Sequence, residues 1–150
     1  MAIVDNRSGA GIRIGEELPP RLQQVTQEGI NAFHMAFGGS NPIHTDPEAA
    51  KKTALGATVQ HGVRTLYTIF AMLFERYPLG LARGGALEAK FIAPVIPADV
   101  IACHCLALER RQEGERQILT FEIWALNQNG IKVLVGQASM VEALGLGGNG

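Results

Sequence analysis

The sequence predicts an α+β domain in which one antiparallel sheet packs on a long central helix. Three observations carry that prediction. Apolar residues recur at helical spacing over Gly62–Tyr77, strand-like segments fill the second half of the chain, and Asn129-Gly130 marks a tight hairpin. A chain of 150 residues suits a single domain over 1–150 and buries roughly 68–70% of its unfolded surface.

From the N-terminus, residues 20–25 read as a short strand. Thr26 caps a helix that carries Ile30, Phe33, Met35 and Phe37 toward Gly38-Gly39. Asp46-Pro47-Glu48 is a second helix start, with an Asp N-cap, proline at the first helical position and an acid in the first turn; this helix is expected to end near Leu55-Gly56. The central helix places Val63, Leu66, Phe70, Leu73, Phe74 and Tyr77 on one side, with Ile69, Ala71 and Met72 on much of the other. A helix apolar nearly all round is expected to be buried. Pro78 and Gly80 are expected to end it.

The β half opens with an edge segment, Ala86–Ile92. Val100–Glu109 and Gln117–Leu126 flank the polar turn Gln112-Glu113-Gly114-Glu115, and Ile131–Val141 follows Asn127-Gln128-Asn129-Gly130. Within Gln117–Leu126, Leu119, Phe121, Ile123 and Ala125 form an apolar face, while Ile118, Thr120, Glu122 and Trp124 form a mixed one. That alternation is what a meander wrapped around a helix requires. Flexible ends are expected at 1–19 and 143–150.

Composition narrows the function. A net charge of −1 offers no general attraction to nucleic acid or an anionic membrane. Asp5 and Arg7 interrupt the only early apolar residues, so no signal peptide is expected. The apolar stretch around Tyr67–Phe74 is far short of the ~20 residues of a spanning helix. A cytoplasmic protein is the expectation. The 47% hydrophobic content, with 18% charged residues, suits oligomerisation. Cys103 and Cys105, two apart in a strand, share a face and read as reduced, packed thiols. With His104 between them they lack the further ligands of a zinc site, and no metal is expected. Gly145-Leu146-Gly147-Gly148-Asn149-Gly150 spells a dinucleotide fingerprint, yet no helix follows it to receive a phosphate.

The most informative segment is Phe37-Gly38-Gly39-Ser40-Asn41-Pro42-Ile43-His44-Thr45-Asp46-Pro47-Glu48-Ala49. Its histidine is followed by His61-Gly62 at the head of the central helix. An imidazole moves protons near neutral pH, and a helix N-terminus offers free N–H groups to a developing anion. The pattern resembles the MaoC-like dehydratase and (R)-specific enoyl-CoA hydratase family, with the signature Gly-Asp-x-Asn-Pro-Ile-His. The later turn Phe91-Ile92-Ala93-Pro94-Val95-Ile96-Pro97-Ala98-Asp99 is similar to that family's Pro-Val-x-x-Gly-Asp turn, with Ala98 in place of glycine. Where the family carries its catalytic aspartate, this chain has Gly39.

The resemblance implies a hot-dog fold and a hydro-lyase that interconverts 3-hydroxyacyl and 2-enoyl thioesters in fatty acid metabolism. It implies His44 as the acid/base residue, the Gly62 backbone N–H as the oxyanion donor, and Asn41 as a residue fixing the turn around the catalytic water. It implies no cofactor beyond the coenzyme A or acyl carrier that bears the substrate. Arg83 and Lys90 are candidates to meet phosphates of that carrier. His61 reads as a helix-entry hydrogen-bonding residue, and Asp46 as a cap.

Gly39 leaves three explanations open: a non-catalytic subunit beside an active paralogue, an easier elimination run by His44 alone, or a carboxylate from elsewhere, for which Glu88 and Asp99 are candidates. A hot-dog thioesterase is a third function class. Restoring aspartate at 39 is expected to raise activity. An exposed sheet edge predicts a two-fold homodimer, or a heterodimer with a paralogue.

Overall fold

The computed structural model describes residues 11–144; the glycine-rich sequence 145–150 and residues 1–10 lie outside that range. The elements run β1 (Arg21–Gln24), α1 (Gln27–Phe37), a 3-10 turn (Pro42–His44), α2 (Pro47–Lys51), α3 (Gly62–Arg76), α4 (Pro78–Gly84), β2 (Ala86–Phe91), β3 (Val100–Glu113), β4 (Arg116–Leu126) and β5 (Lys132–Leu144). The strands form one antiparallel sheet in the order β1-β3-β4-β5-β2, so β1 and β2 are its edges.

Local chemistry sets the helix boundaries. The Thr26 hydroxyl accepts from Gly29 N–H at the head of α1, and Gly38 closes it in the left-handed conformation, φ 75°. Asp46 accepts from Glu48 and Ala49 N–H at the head of α2. That helix stops four residues before the expected Leu55. The Thr53 hydroxyl donates to the Ala50 carbonyl at 2.7 Å and accepts from Leu55 N–H at 3.2 Å, a side-chain turn that competes with further helix.

The sheet follows the alternation read in β4. Leu119, Phe121, Ile123 and Ala125 are fully buried and meet Ile69, Met72 and Leu73 of α3 in the core. Cys103 and Cys105 lie in the same core, where burial pushes both thiols up to about 12. β3 continues past Glu109 through a bulge between Ala107 and Glu109, and its turn to β4 tightens to Gly114-Glu115.

Three expectations need correction. The central helix is not buried all round. Thr65, Ile69, Met72 and Leu73 face the sheet, while Tyr67, Phe70 and Phe74 are exposed at 58%, 36% and 47%. A five-stranded sheet covers one side of a helix and leaves the other bare. Second, Pro78 does not simply end helical structure. Tyr77 breaks α3 with φ −133° and ψ 55°, and Pro78 then starts α4 as its first residue. Third, the chain from 11 to 19 is packed rather than loose. Gly15 and Leu18 donate to the Ala107 and Cys105 carbonyls, and Ile12 and Leu18 are buried. No helix among the described residues is long and apolar enough to cross a membrane.

Candidate active site

Two short segments converge at the head of α3. The first is the stretch from the end of α1 to the 3-10 turn. The Asn41 side chain accepts from Ile43 N–H at 3.2 Å and starts that turn, which carries His44 at its end. Asn41 is exposed and works as a cap. The second segment, Thr58–His61, is buried and locked by Val59 N–H to the Ile43 carbonyl and by Gln60 N–H to the Val95 carbonyl.

Between them stands a cluster of three imidazoles. His44 lies face to face with His61, ring centroids 3.6 Å apart and 22° from parallel. His44 Nδ1 lies 2.7 Å from the Val59 carbonyl oxygen, which only accepts, so this nitrogen carries the proton and Nε2 keeps its lone pair. The His44 carbonyl in turn accepts from the Gln27 amide, whose oxygen accepts from the Thr58 hydroxyl. The third ring, His34, comes from the last turn of α1. Its Nδ1 is 3.1 Å from His61 Nε2, and its centroid is 5.9 Å from that of His44. Phe33 and Phe37 pack beside His61 and wall the cluster.

His61 is the N-cap residue of α3, but its side chain makes no cap hydrogen bond. His61 thus stands at the helix entry, with its side-chain hydrogen bond made to His34. Its ring turns instead to His34 and His44, and burial, followed by the charges of His44, His34 and Arg64, lowers its pKa to about 4. The head of α3 is therefore open. Gly62 N–H makes no hydrogen bond among the described residues. Phe91 of the edge strand lies over Gly62, so that a Cβ at 62 would meet its ring at 2.6 Å. Gly62 and Phe91 help line a groove of about 420 Å³ with Leu55, Val59, Val95 and Leu134.

A buried polar network braces the same helix end. Gln60 Nε2 donates to the Thr65 hydroxyl and the Gln23 amide oxygen, while Arg64 donates to Gln60 Oε1 at 2.6 Å. Each of these links is satisfied, which fixes the first turn of α3 relative to β1.

Other candidates fall elsewhere. Asp99 is buried and committed to its turn, accepting from Ile96 N–H and from the Gln128 amide, both at 2.9 Å. Glu88 is exposed on edge strand β2, opposite Gln137. Neither carboxylate joins the histidines. Asp46 is occupied in capping α2. Lys90 is exposed one residue before Phe91, and Arg83 is exposed in the last turn of α4 with no contact to the cluster among the described residues.

Gly39 has a neighbour the sequence did not reveal. A Cβ there would stand 2.5 Å from His34 Cε1 and Nδ1. Aspartate at 39 therefore fits only if the His34 ring moves from its present position. The available signal was that three of the chain's four histidines fall within residues 34–61.

A five-stranded antiparallel sheet packed on a central helix is the hot-dog fold. The chain belongs to the MaoC-like dehydratase family: the family model described as MaoC like domain matches residues 11–122. The chain is 30% identical over 81 residues to the peroxisomal multifunctional enzyme type 2 of Drosophila melanogaster, covering 53% of this chain and 14% of that protein. It is 29% identical over 82 residues to the 3-hydroxyacyl-thioester dehydratase X of Mycobacterium tuberculosis, covering 53% of this chain and 28% of that protein. The chain thus spans well under half the length of both curated relatives. Among solved structures, the (R)-hydratase from A. caviae involved in PHA biosynthesis superposes with a TM-score of 0.75 at 20% identity, over 87% of this chain and 96% of the other. That similarity concerns the fold.

Proposed function

We propose that the protein is a hydro-lyase acting on acyl thioesters, interconverting 3-hydroxyacyl and 2-enoyl forms. The observation that carries this reading is His44, held by Val59 with Nε2 free and stacked on the residue that precedes the open head of α3. In hydration, His44 Nε2 takes a proton from water as the water oxygen bonds to C3. The thioester oxygen gains charge and is met by Gly62 N–H, a type of donor worth ~2.7–4 kcal/mol in other enzymes. The imidazolium then returns its proton to C2, which balances the addition. Asn41 holds the 3-10 turn that presents His44. The acyl chain lies in the groove below Phe91. The carrier is coenzyme A or an acyl carrier protein, with Lys90, exposed on edge strand β2, and Arg83 as candidates to meet its phosphates; no cofactor takes part.

The test is hydration of a short 2-enoyl-CoA by purified protein. Turnover is expected, abolished by His44→Ala. Wild type at the His44→Ala background would leave the second reading, a non-catalytic MaoC-like subunit paired with an active paralogue. Gly39, with no carboxylate beside His44, is the feature that favours that alternative. Release of free thiol without hydration would instead indicate a thioesterase.

We further propose a dimer, formed across the bare face of α3 and the open edge of β2. Tyr67, Phe70 and Leu87 line a shallow apolar hollow of about 290 Å³ there.

A further inference from the structure

Resting on the hydro-lyase reading and deepening it, we infer that His34 is a second catalytic residue, whose Nε2–H donates a hydrogen bond to the oxygen added to or expelled from C3. α1 ends in the left-handed Gly38, and Gly39 N–H donates to the His34 carbonyl at 3.0 Å, so the backbone that carries both residues is held. The His34 ring lies where a side chain at 39 would begin, 2.5 Å from the position of its Cβ. The ring and a side chain at 39 exclude one another. The missing side chain at 39 is what lets the imidazole reach the cluster.

Hydrogen bonding then assigns the protons. The Val59 carbonyl leaves His44 with a proton on Nδ1 and a lone pair on Nε2. One proton is shared across the 3.1 Å between His34 Nδ1 and His61 Nε2. His61 Nδ1 is buried with no partner among the described residues. A bare buried lone pair is tolerated more readily than a bare buried N–H, so His61 carries its proton on Nε2 and donates to His34. That leaves His34 protonated on Nε2. Neither His34 Nε2 nor His44 Nε2 has a protein partner among the described residues. The ring centroids are 5.9 Å apart and the rings tilt by 47°. On this inference one oxygen bridges the two free nitrogens, with His44 as the base and His34 as the donor.

The division of labour follows. His44 moves the proton in both directions. His34 keeps its own proton and stabilises the charge that gathers on oxygen as the C3–O bond breaks, or orients the water as that bond forms. Loss of one preorganised donor of this kind costs on the order of 10²–10³ in kcat.

The experiment is a two-residue cycle on the full chain, read as kcat and KM for 2-enoyl-CoA hydration. His34→Ala is expected to lower kcat roughly 100-fold with little change in KM, and His34→Gln, which keeps an N–H donor, to recover part of the loss. Gly39→Asp alone is expected to lower kcat, because its Cβ displaces the ring. In the His34→Ala background, Gly39→Asp is expected to raise kcat above either single variant. Wild-type kcat in His34→Ala, or the same effect of Gly39→Asp with and without His34, overturns the inference while leaving the hydro-lyase reading intact. If wild type shows no turnover, that reading fails first. Nitrogen-15 spectra of the imidazoles then decide the proton arrangement, with His34 on Nε2 and His44 on Nδ1 expected at neutral pH and the opposite tautomers overturning it.

Discussion

His44 and His61 share a stacked contact, 3.6 Å between ring centroids, in which His44 is partly exposed and His61 is buried. The pair sets a limit on how much positive charge the site tolerates. His61 gains a proton only near pH 4, because burial and the neighbouring imidazoles oppose it.

The first consequence is a pH-dependent stability. An unfolded histidine takes up a proton near 6.5, whereas folded His61 refuses it until about 4. Between these values the unfolded chain binds more protons, so stability falls as pH drops through that window, with a slope of up to about 1.4 kcal/mol per pH unit. Urea midpoints at pH 7 and pH 5 measure it. An unchanged pH slope in His61→Phe would show that another group is responsible.

At the head of α3, Gly62→Ala separates stability from activity. Its methyl group meets Phe91, a half-exposed ring on an edge strand that can swing aside. Stability is expected to change by no more than about 1 kcal/mol, the span of the alanine–glycine helix preference. On the proposed mechanism kcat falls, because the methyl group crowds the approach to the N–H. Parallel measurement of denaturation midpoint and turnover checks this, and an unaltered kcat refutes it.

Ala98 offers a stabilising substitution. It holds φ 78° with its N–H bonded to the Val25 carbonyl, so the turn cannot relax. A left-handed alanine is strained by roughly 1–2 kcal/mol, and glycine's extra unfolded-state entropy returns about 0.4–1 kcal/mol of that. Ala98→Gly is expected to gain about 0.5–1 kcal/mol in chemical denaturation. A loss would mean that the alanine methyl packs better than its backbone suffers.

The bare face of α3 predicts assembly. Phe70 and Phe74 stack at 5.7 Å on a surface that a monomer would expose. Light scattering is expected to find a dimer at micromolar concentration, converted to monomer by Phe70→Glu. A monomeric wild type removes the proposal.

Much of the fold was legible because its signals are local. Thr26 and Asp46 each needed only neighbouring N–H groups to act as caps, and the Leu119–Ala125 alternation needed only the pleat. Errors arose where one residue type serves two outcomes. Pro78 stops one helix and starts another, and the apolar residues of α3 serve both a core face and an exposed one. The motif around His44 and the His61-Gly62 pair do come together in the structure. His34 stayed hidden because its part depends on a side chain that residue 39 lacks, a relation made only when α1 and the following turn close on each other.

The three rings also differ in how firmly they are anchored. Between Gly38 and Ala57, only Ala50 is buried, whereas His61 belongs to the buried segment Thr58–His61. Such a segment opens at a fraction of the cost of global unfolding. Its amides are therefore expected to exchange with solvent, and proteases to cut it, while the sheet and central helix remain intact. His44 departs in each such excursion and His61 stays behind. On the proposed mechanism the protein thus loses its acid/base group reversibly without unfolding, and a ligand that contacts His44 is expected to register as protection of the 38–57 amides before it registers as any change in melting temperature.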